Sequence, residues 1–423
     1  MALSKVTFTR TDGNLGTALA GQDHISGLLF DTTSAPGTTS LGDVYQIFSV
    51  KDAEGLGILP YKTGETVYMD GLPHLHISEY FRLNPNGTLY VMFDDCSSDW
   101  NAIATLQSFA QGSIRQIGIW TPLKVFVKGA TDQDPYTLNL VQDINAAAEL
   151  LANENKPISV LLSANAAGIN SDNATTTMAN FPSAIQSYPR VTILLGQGNS
   201  TLVQDIQTKM ANHATVGWIG AAMAIVAIAN VHESPAWLGK FNMIGGNMNS
   251  IAMGFGDITV TSNKLNSITP YESISKQQLD QLDDKGFVFP VKYVGKDGTF
   301  FSKDRTCSDG DYRMISRNRT IDKSRREIRA VLLDRLNSPL NINPSNGQLS
   351  AADIKVFKTL VSGPLDLMLA AGNISGYFVN IDANQNVLTD DTLRISYVLI
   401  PKGVASNIEV TEGFALSTAS FVS

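Results

Sequence analysis

Residues 136–162 read YTLNLVQDINAAAELLANENKPISVLL, and the class of the fold follows from them. Leu138, Val141, Ile144, Ala148 and Leu151 recur at helical spacing, which predicts an amphipathic helix over residues 136–153. Residues 158–162 are a short unbroken apolar run, the pattern of a strand buried on both faces. A helix that runs straight into such a strand belongs to a sheet covered by helices. Outward from this stretch the same rhythm repeats. Residues 43–53 and 72–83 predict helices, 89–93 a strand after Asn86-Gly87, and 114–120 another strand. Residues 191–195 predict a further strand, and Ser200 caps a helix that runs to about Met210. The fold class is therefore α/β (α+β). Residues 12–39 read as an arm or linker followed by loop-rich structure.

Composition bounds the function. The chain has 423 residues, enough for two or three domains, and 43% of them are hydrophobic, which supports a packed core. Its net charge is −8, so general binding to nucleic acid through phosphates is excluded. Cys96 and Cys307 are the only cysteines, too few for a disulfide framework or a cysteine-based metal site. The opening MALSKVTFTRTDG lacks the apolar core of a secretory signal. Residues 214–231 carry no charge, but they are rich in Ala and Gly and contain Asn230. They predict a small-residue helix packed on the sheet rather than a membrane span.

Beyond Asn242 the pattern loosens, then resumes with a helix over 275–283 and strands over 287–294. Helices are expected at 321–336 and 350–361, the second opening on Ser350-x-x-Asp353, with Gly363-Pro364 breaking it before a restart at 365–371. The tail is read as strand at 375–382, 393–400 and 408–416.

Several groups of residues are candidates for chemistry. Gly196-Gln197-Gly198-Asn199-Ser200 joins a strand to a helix, as a dinucleotide site does, but Thr201 stands where the third glycine belongs. A tight turn with Ser200 as N-cap is the simpler reading; an α/β enzyme binding a nucleotide there is the rival. His74 with His76 lacks a nearby third metal ligand, and Asp94, Asp95 and Asp99 read as a capped strand end. Arg313, Arg317, Arg319, Lys323, Arg325, Arg326 and Arg329 are opposed only by Asp322 and Glu327, a local charge of +5. Cations near a helix N-terminus work against the helix dipole, so helix stability does not account for them. They form either a solvated face with internal pairing or a docking strip for an acidic partner.

The two ends are β-like. Val6 and Phe8 alternate with polar neighbours, and an extended arm cannot satisfy its own backbone hydrogen bonds. The ends either pair within the monomer or add strands to neighbouring copies. In the second case head-to-tail repetition yields a ring or an open helical tube.

Asn318-Arg319-Thr320-Ile321-Asp322-Lys323, running on through Leu336-Asn337-Ser338-Pro339, resembles contractile tail sheath proteins. So do Asn373-Ile374-Ser375-Gly376-Tyr377 and Leu399-Ile400-Pro401-Lys402-Gly403. Val231-His232-Glu233-Ser234-Pro235-Ala236-Trp237 is similar to the divergent branch found in bacterial prophages. The resemblance is best over about residues 230–242 and 300–416. It implies a structural, non-enzymatic subunit with no cofactor and no metal. It implies stacked hexameric rings around an inner tube, within a tail assembled in a host bacterial cytoplasm. The implied partners are further copies, the tube protein, and baseplate and tail terminator proteins, without nucleic acid or membrane insertion. An arm over residues 1–20, an outer region over 21–295 and a tube-proximal region over 296–423 follow from it. Lys323, Arg326 and Arg329 would face the tube, and Val6, Phe8, Ile408 and Val410 would lie in strands exchanged between subunits.

Overall fold

The computed structural model describes residues 22–62, 71–128, 136–165, 182–210, 215–254, 268–385 and 387–414. By contacts the chain forms two compact units, residues 1–323 and 324–423. The family of sheets and helices in the first unit begins with β1 (Ser26–Asp31), β2 (Val44–Ile47), α1 (Val50–Gly55), α2 (Leu72–Leu83) and β3 (Leu89–Asp94). It continues through α3 (Asn101–Phe109), β4 (Gln116–Lys124), β5 (Val127–Lys128), β6 (Tyr136–Thr137), α4 (Asn139–Asn153) and β7 (Ser159–Asn165). Then come β8 (Ser187–Tyr188), β9 (Val191–Ile193), β10 (Gln197–Gly198), α5 (Thr201–Lys209) and α6 (Ile219–Ile228). β11 (Ile251–Met253), β12 (Thr269–Pro270), α7 (Lys276–Asp284), β13 (Pro290–Tyr293), β14 (Lys296–Phe301) and β15 (Cys307–Ser308) lead to α8 (Ile315–Leu333), within which the units divide.

The main sheet has the order β2-β3-β1-β4-β7-β9. All its neighbours are parallel except β2, which pairs antiparallel with β3 at the edge. Alternate residues of each strand face opposite sides. Leu29, Ile117, Ile119, Val160 and Leu162 pack with Ile103 and Leu106 of α3 and Val141, Ile144 and Ala148 of α4. Leu28, Phe30, Val91, Phe93 and Leu161 pack on the other side with α2 and α6. The small-residue helix expected over 214–231 is α6, shorter than expected and buried from Ile219 through Ala227. A Cβ at Gly220 would come within 2.0 Å of the His76 carbonyl, so glycine lets α6 lie against α2. Among the described residues no helix is long and apolar enough to cross a membrane.

Three readings of the sequence are corrected in this unit. The central strand β1 falls in the segment read as loop-rich; it is buried on both faces, but its run of large apolar residues is only Leu28-Leu29-Phe30, between Ser26-Gly27 and Asp31, too short to stand out as a buried strand. Residues 44–47, read as helix, zip onto β3 as an edge strand, and the helix starts only after the Ser49 cap. α8 starts at Ile315 instead of 321, because the Asp304 carboxylate accepts from the Ser316 amide (3.3 Å) and hydroxyl (2.5 Å) and caps it there.

The second unit holds the end of α8, α9 (Ala351–Ala370), β16 (Ile374–Asn380), α10 (Val387–Asp390) and β17 (Ser396–Pro401). Its core is Ile328, Val361, Leu365, Met368, Ile374 and Val379. α9 is capped by Ser350 as expected, but it passes through Gly363-Pro364 without a break. Val361, Leu365 and Met368 anchor it on both sides of the proline, and that burial outweighs the lost hydrogen bond. β16 and β17 pair antiparallel, with Phe378 opposite Val398. The strand expected at 408–416 is not formed through Phe414, the last described residue.

Candidate assembly interface

The first half of α8 is polar and buried. Ser316, Asn318, Arg319, Thr320 and Asp322 are all enclosed. Arg319, 4% exposed, donates to the carbonyls of Ala229 (3.1 Å), Asn230 (3.4 Å) and Asp23 (3.4 Å). A guanidinium offers five donors in a fixed plane, which suits it to bridging separate carbonyls. Arg190, in the turn before β9, donates to Asp322 at 2.6 Å and to Glu149 of α4 at 3.2 Å. Burial works against its charge, and the Asp322 carboxylate beside it prevails, so the guanidinium pKa is held above its ordinary value. Burial pushes the Asp304 carboxyl up to about 6, against the hydrogen bonds from Ser316 and the pull of Arg319. The cations that helix stability left unexplained are therefore in part internal struts.

The three cations expected to face a tube have different surroundings. Lys323 pairs with Asp23 Oδ2 at 2.9 Å. Arg326 is half-buried and Arg329 is exposed. Leu336, expected inside a helix over 321–336, lies past the helix end and is 69% exposed, whereas Ile328 is buried. Arg190 and Asp23 could not be found from the sequence, because each lies more than a hundred positions along the chain from its partner on α8, and Asp304 has no local spacing that marks it as the cap of a helix starting eleven residues later. The one available signal was the set of charges that disfavours the helix it sits in.

Of the residues assigned to exchanged strands, Val6 and Phe8 lie outside the described residues. Ile408 and Val410 are 80% and 81% exposed in irregular chain. Next to this tail the β16–β17 ribbon carries apolar side chains on both faces. Tyr377, Val379, Tyr397 and Leu399 pack into the core. Phe378, Val398 and Ile400, on the alternate positions, are 58%, 61% and 59% exposed. The sheet consists of these two strands, so the outer edge of each lacks a strand partner among the described residues.

The remaining candidates are structural. Gly196 and Gly198 have no space beside them: a Cβ would lie 2.7 Å from the Ala252 carbonyl and 2.4 Å from the Asn247 carbonyl. Between them Gln197 is buried and accepts from the Val216 amide at 3.0 Å, and Ser200 caps α5. The turn is occupied by the protein's own backbone. His76 donates through Nε2 to the Val216 carbonyl at 2.9 Å, and burial lowers its pKa to about 4. His74 instead meets Glu54 at 3.2 Å. Asp94, Asp95 and Asp99 accept from the amides of Asp95, Ser97 and Asn101, capping the turn after β3 and the start of α3. No group of metal-binding side chains occurs among the described residues.

Two family models cover nearly the whole chain: DUF2586, N-terminal domain, over residues 3–305, and DUF2586, C-terminal domain, over residues 311–419. No curated protein matches by sequence. Among solved structures the chain is similar to the helical sheath of the anti-feeding prophage in its contracted state, at 15% identity and a TM-score of 0.57. That match covers 99% of this chain and 100% of the other. It is also similar to the contracted sheath complex of PVC, an extracellular contractile injection system, at 12% identity and a TM-score of 0.59, with 99% of each chain covered. A chain of the anti-feeding prophage baseplate matches at 15% identity and a TM-score of 0.56, covering 98% of this chain and 100% of that one. The fold is that of contractile sheath proteins over the full length.

Proposed function

The chain belongs to the DUF2586 family and has the fold of contractile sheath proteins, and we propose that it is the repeating subunit of a contractile tail sheath. It acts as a structural element, polymerising as stacked hexameric rings around an inner tube and contracting to drive that tube through a target envelope. The observation that carries this reading is the incomplete β16–β17 ribbon beside the exposed tail. A two-stranded ribbon is marginal in water. Here it keeps a second apolar face exposed, next to chain whose Ile408 and Val410 alternate with Glu409 and Thr411. Among the described residues thirteen large apolar side chains are exposed in residues 324–423, against twelve in the far longer first unit. Surface of that kind marks an interface.

In this reading tails from adjoining copies complete the ribbon, through Ile408 and Val410 at one end and Val6 and Phe8 at the other. Of the three regions read from the sequence, 296–423 lies toward the tube and contains the compact unit 324–423; 21–295 lies outside. Arg326 and Arg329, with whatever part of Lys323 remains available, present positive charge to the tube surface. Such a hold is weak and salt-sensitive, which suits a contact that must release. Baseplate and terminator proteins bound the ends of the sheath, and the protein resides in the tail of a phage or a related injection device. Contraction requires no cofactor. At about 25 cal/mol per Å², about 200 Å² of additional apolar burial per subunit yields roughly 5 kcal/mol, repeated over many subunits.

Negative-stain microscopy of the purified full-length chain tests the proposal. Tubes or stacked rings are expected. Compact particles of one or two copies that persist at high concentration would overturn it.

A further inference from the structure

The route by which the N-terminal arm joins the folded unit carries an inference beyond subunit assembly. Residues 22–24 form a single 3₁₀ turn that leads, after Ile25, into β1. β1 is an inner strand of the main sheet, and Ser26 sits in register with Leu89 of β3 on one side and Gln116 of β4 on the other. A pull on the chain before Gln22 would thus act on the end of a central strand and open the sheet from within.

Asp23 is held at that point from three directions. Its carboxylate pairs with Lys323 at 2.9 Å, with both side chains about four-fifths buried. Its carbonyl accepts from Arg319 at 3.4 Å and from the Gln116 side-chain amide at 3.2 Å. Arg319 and Lys323 are four residues apart, so they sit on one face of α8, one turn from each other. Arg319 is itself fixed by the Ala229 and Asn230 carbonyls, and α8 by the Arg190–Asp322 pair. A pair so largely buried is screened less by salt than an exposed one, so the grip persists at physiological ionic strength.

We propose that Lys323 and Arg319 make α8 the anchorage of the N-terminal arm, so that tension from a neighbouring copy passes into α8 before it reaches β1. The mechanical purpose rests on the arm-exchange reading above, but the anchorage is a property of the single chain and can be measured in it. Lys323 then serves to hold the arm's root, and the charge it presents outward is secondary.

Hydrogen exchange on the full-length, unassembled protein tests this. Lys323→Met and Asp23→Asn should each speed exchange at the amides of Ser26, Gly27 and Leu28 by about tenfold, with β7 unaffected. The paired reversal Asp23→Lys with Lys323→Asp should bring the rate back toward the original value. Unchanged exchange in both single variants, or a reversal no tighter than they are, overturns the anchorage. If tubes form normally without residues 1–10, the arm-exchange reading fails instead, and the exchange result is unaffected.

Discussion

Arg319, Arg190, Asp322 and Asp304 bring charge into the protein interior, where an unpaired ion is expensive. Each is matched. Arg319 meets three carbonyls, Arg190 meets two carboxylates, and Asp304 accepts from both polar groups of Ser316. Asp304 is nonetheless held with its pKa at about 6, above the ordinary 3.8, because burial dominates the compensating contacts. The folded state therefore binds this proton more tightly than the unfolded state. Its contribution to stability is present below the unfolded pKa and is lost as pH rises through about 6. Urea titrations of wild type and Asp304→Asn between about pH 4 and pH 7 should show the wild type losing roughly 2–3 kcal/mol relative to the variant over that range. A difference that does not vary with pH would show that the carboxyl is not the titrating group. Arg319 faces the same carboxylate and stays charged throughout, so it sets the level of the curve without adding a step.

Among the elements, α9 and the β16–β17 ribbon divide their surfaces unequally. Val361, Leu365 and Met368 face inward and keep the helix unbroken through Pro364. Phe378 and Val398, directly opposed on the two strands, face outward. Replacing exposed side chains usually changes folding stability by about 0.5 kcal/mol or less. Phe378→Lys combined with Val398→Lys should therefore leave thermal unfolding of the monomer close to that of wild type while abolishing tubes. A cavity at buried Val361 should do the opposite to the fold. Tubes of normal length from the double lysine variant, seen by microscopy, would mean that this face is not an interface.

For the molecule as a whole, the prediction concerns its ends. Deleting residues 1–10, or everything after Asn407, should stop polymerisation and leave the main sheet folded, as judged by circular dichroism and a cooperative melt. Full-length tubes from either truncation would exclude exchange of terminal strands. The charge of the chain fits this arrangement, since the net −8 coexists with exposed cations at Arg325 and Arg329 of α8.

The elements with strong local signals were legible in sequence. α2 runs over Leu72–Leu83 as its pattern predicts, Ser200 and Ser350 cap α5 and α9, and the uncharged stretch around α6 is a buried helix. Periodicity and capping depend on residues within one or two turns, so a single sequence contains them. β1 was not legible, because its run of large apolar residues is only three long between Ser26-Gly27 and Asp31, and neither was the passage of α9 through Pro364, because distant packing overrides a local preference. The candidate site was half legible. The excess of cations on α8 stood out, but which of them are struts depends on Asp23, Asn230 and Arg190, some 89 to 300 positions from their partners. The sequence by itself determined an α/β chain with cations concentrated in one helix. Only the tertiary structure decided which charges are buried, since burial is a relation between segments that the order of residues along the chain does not express.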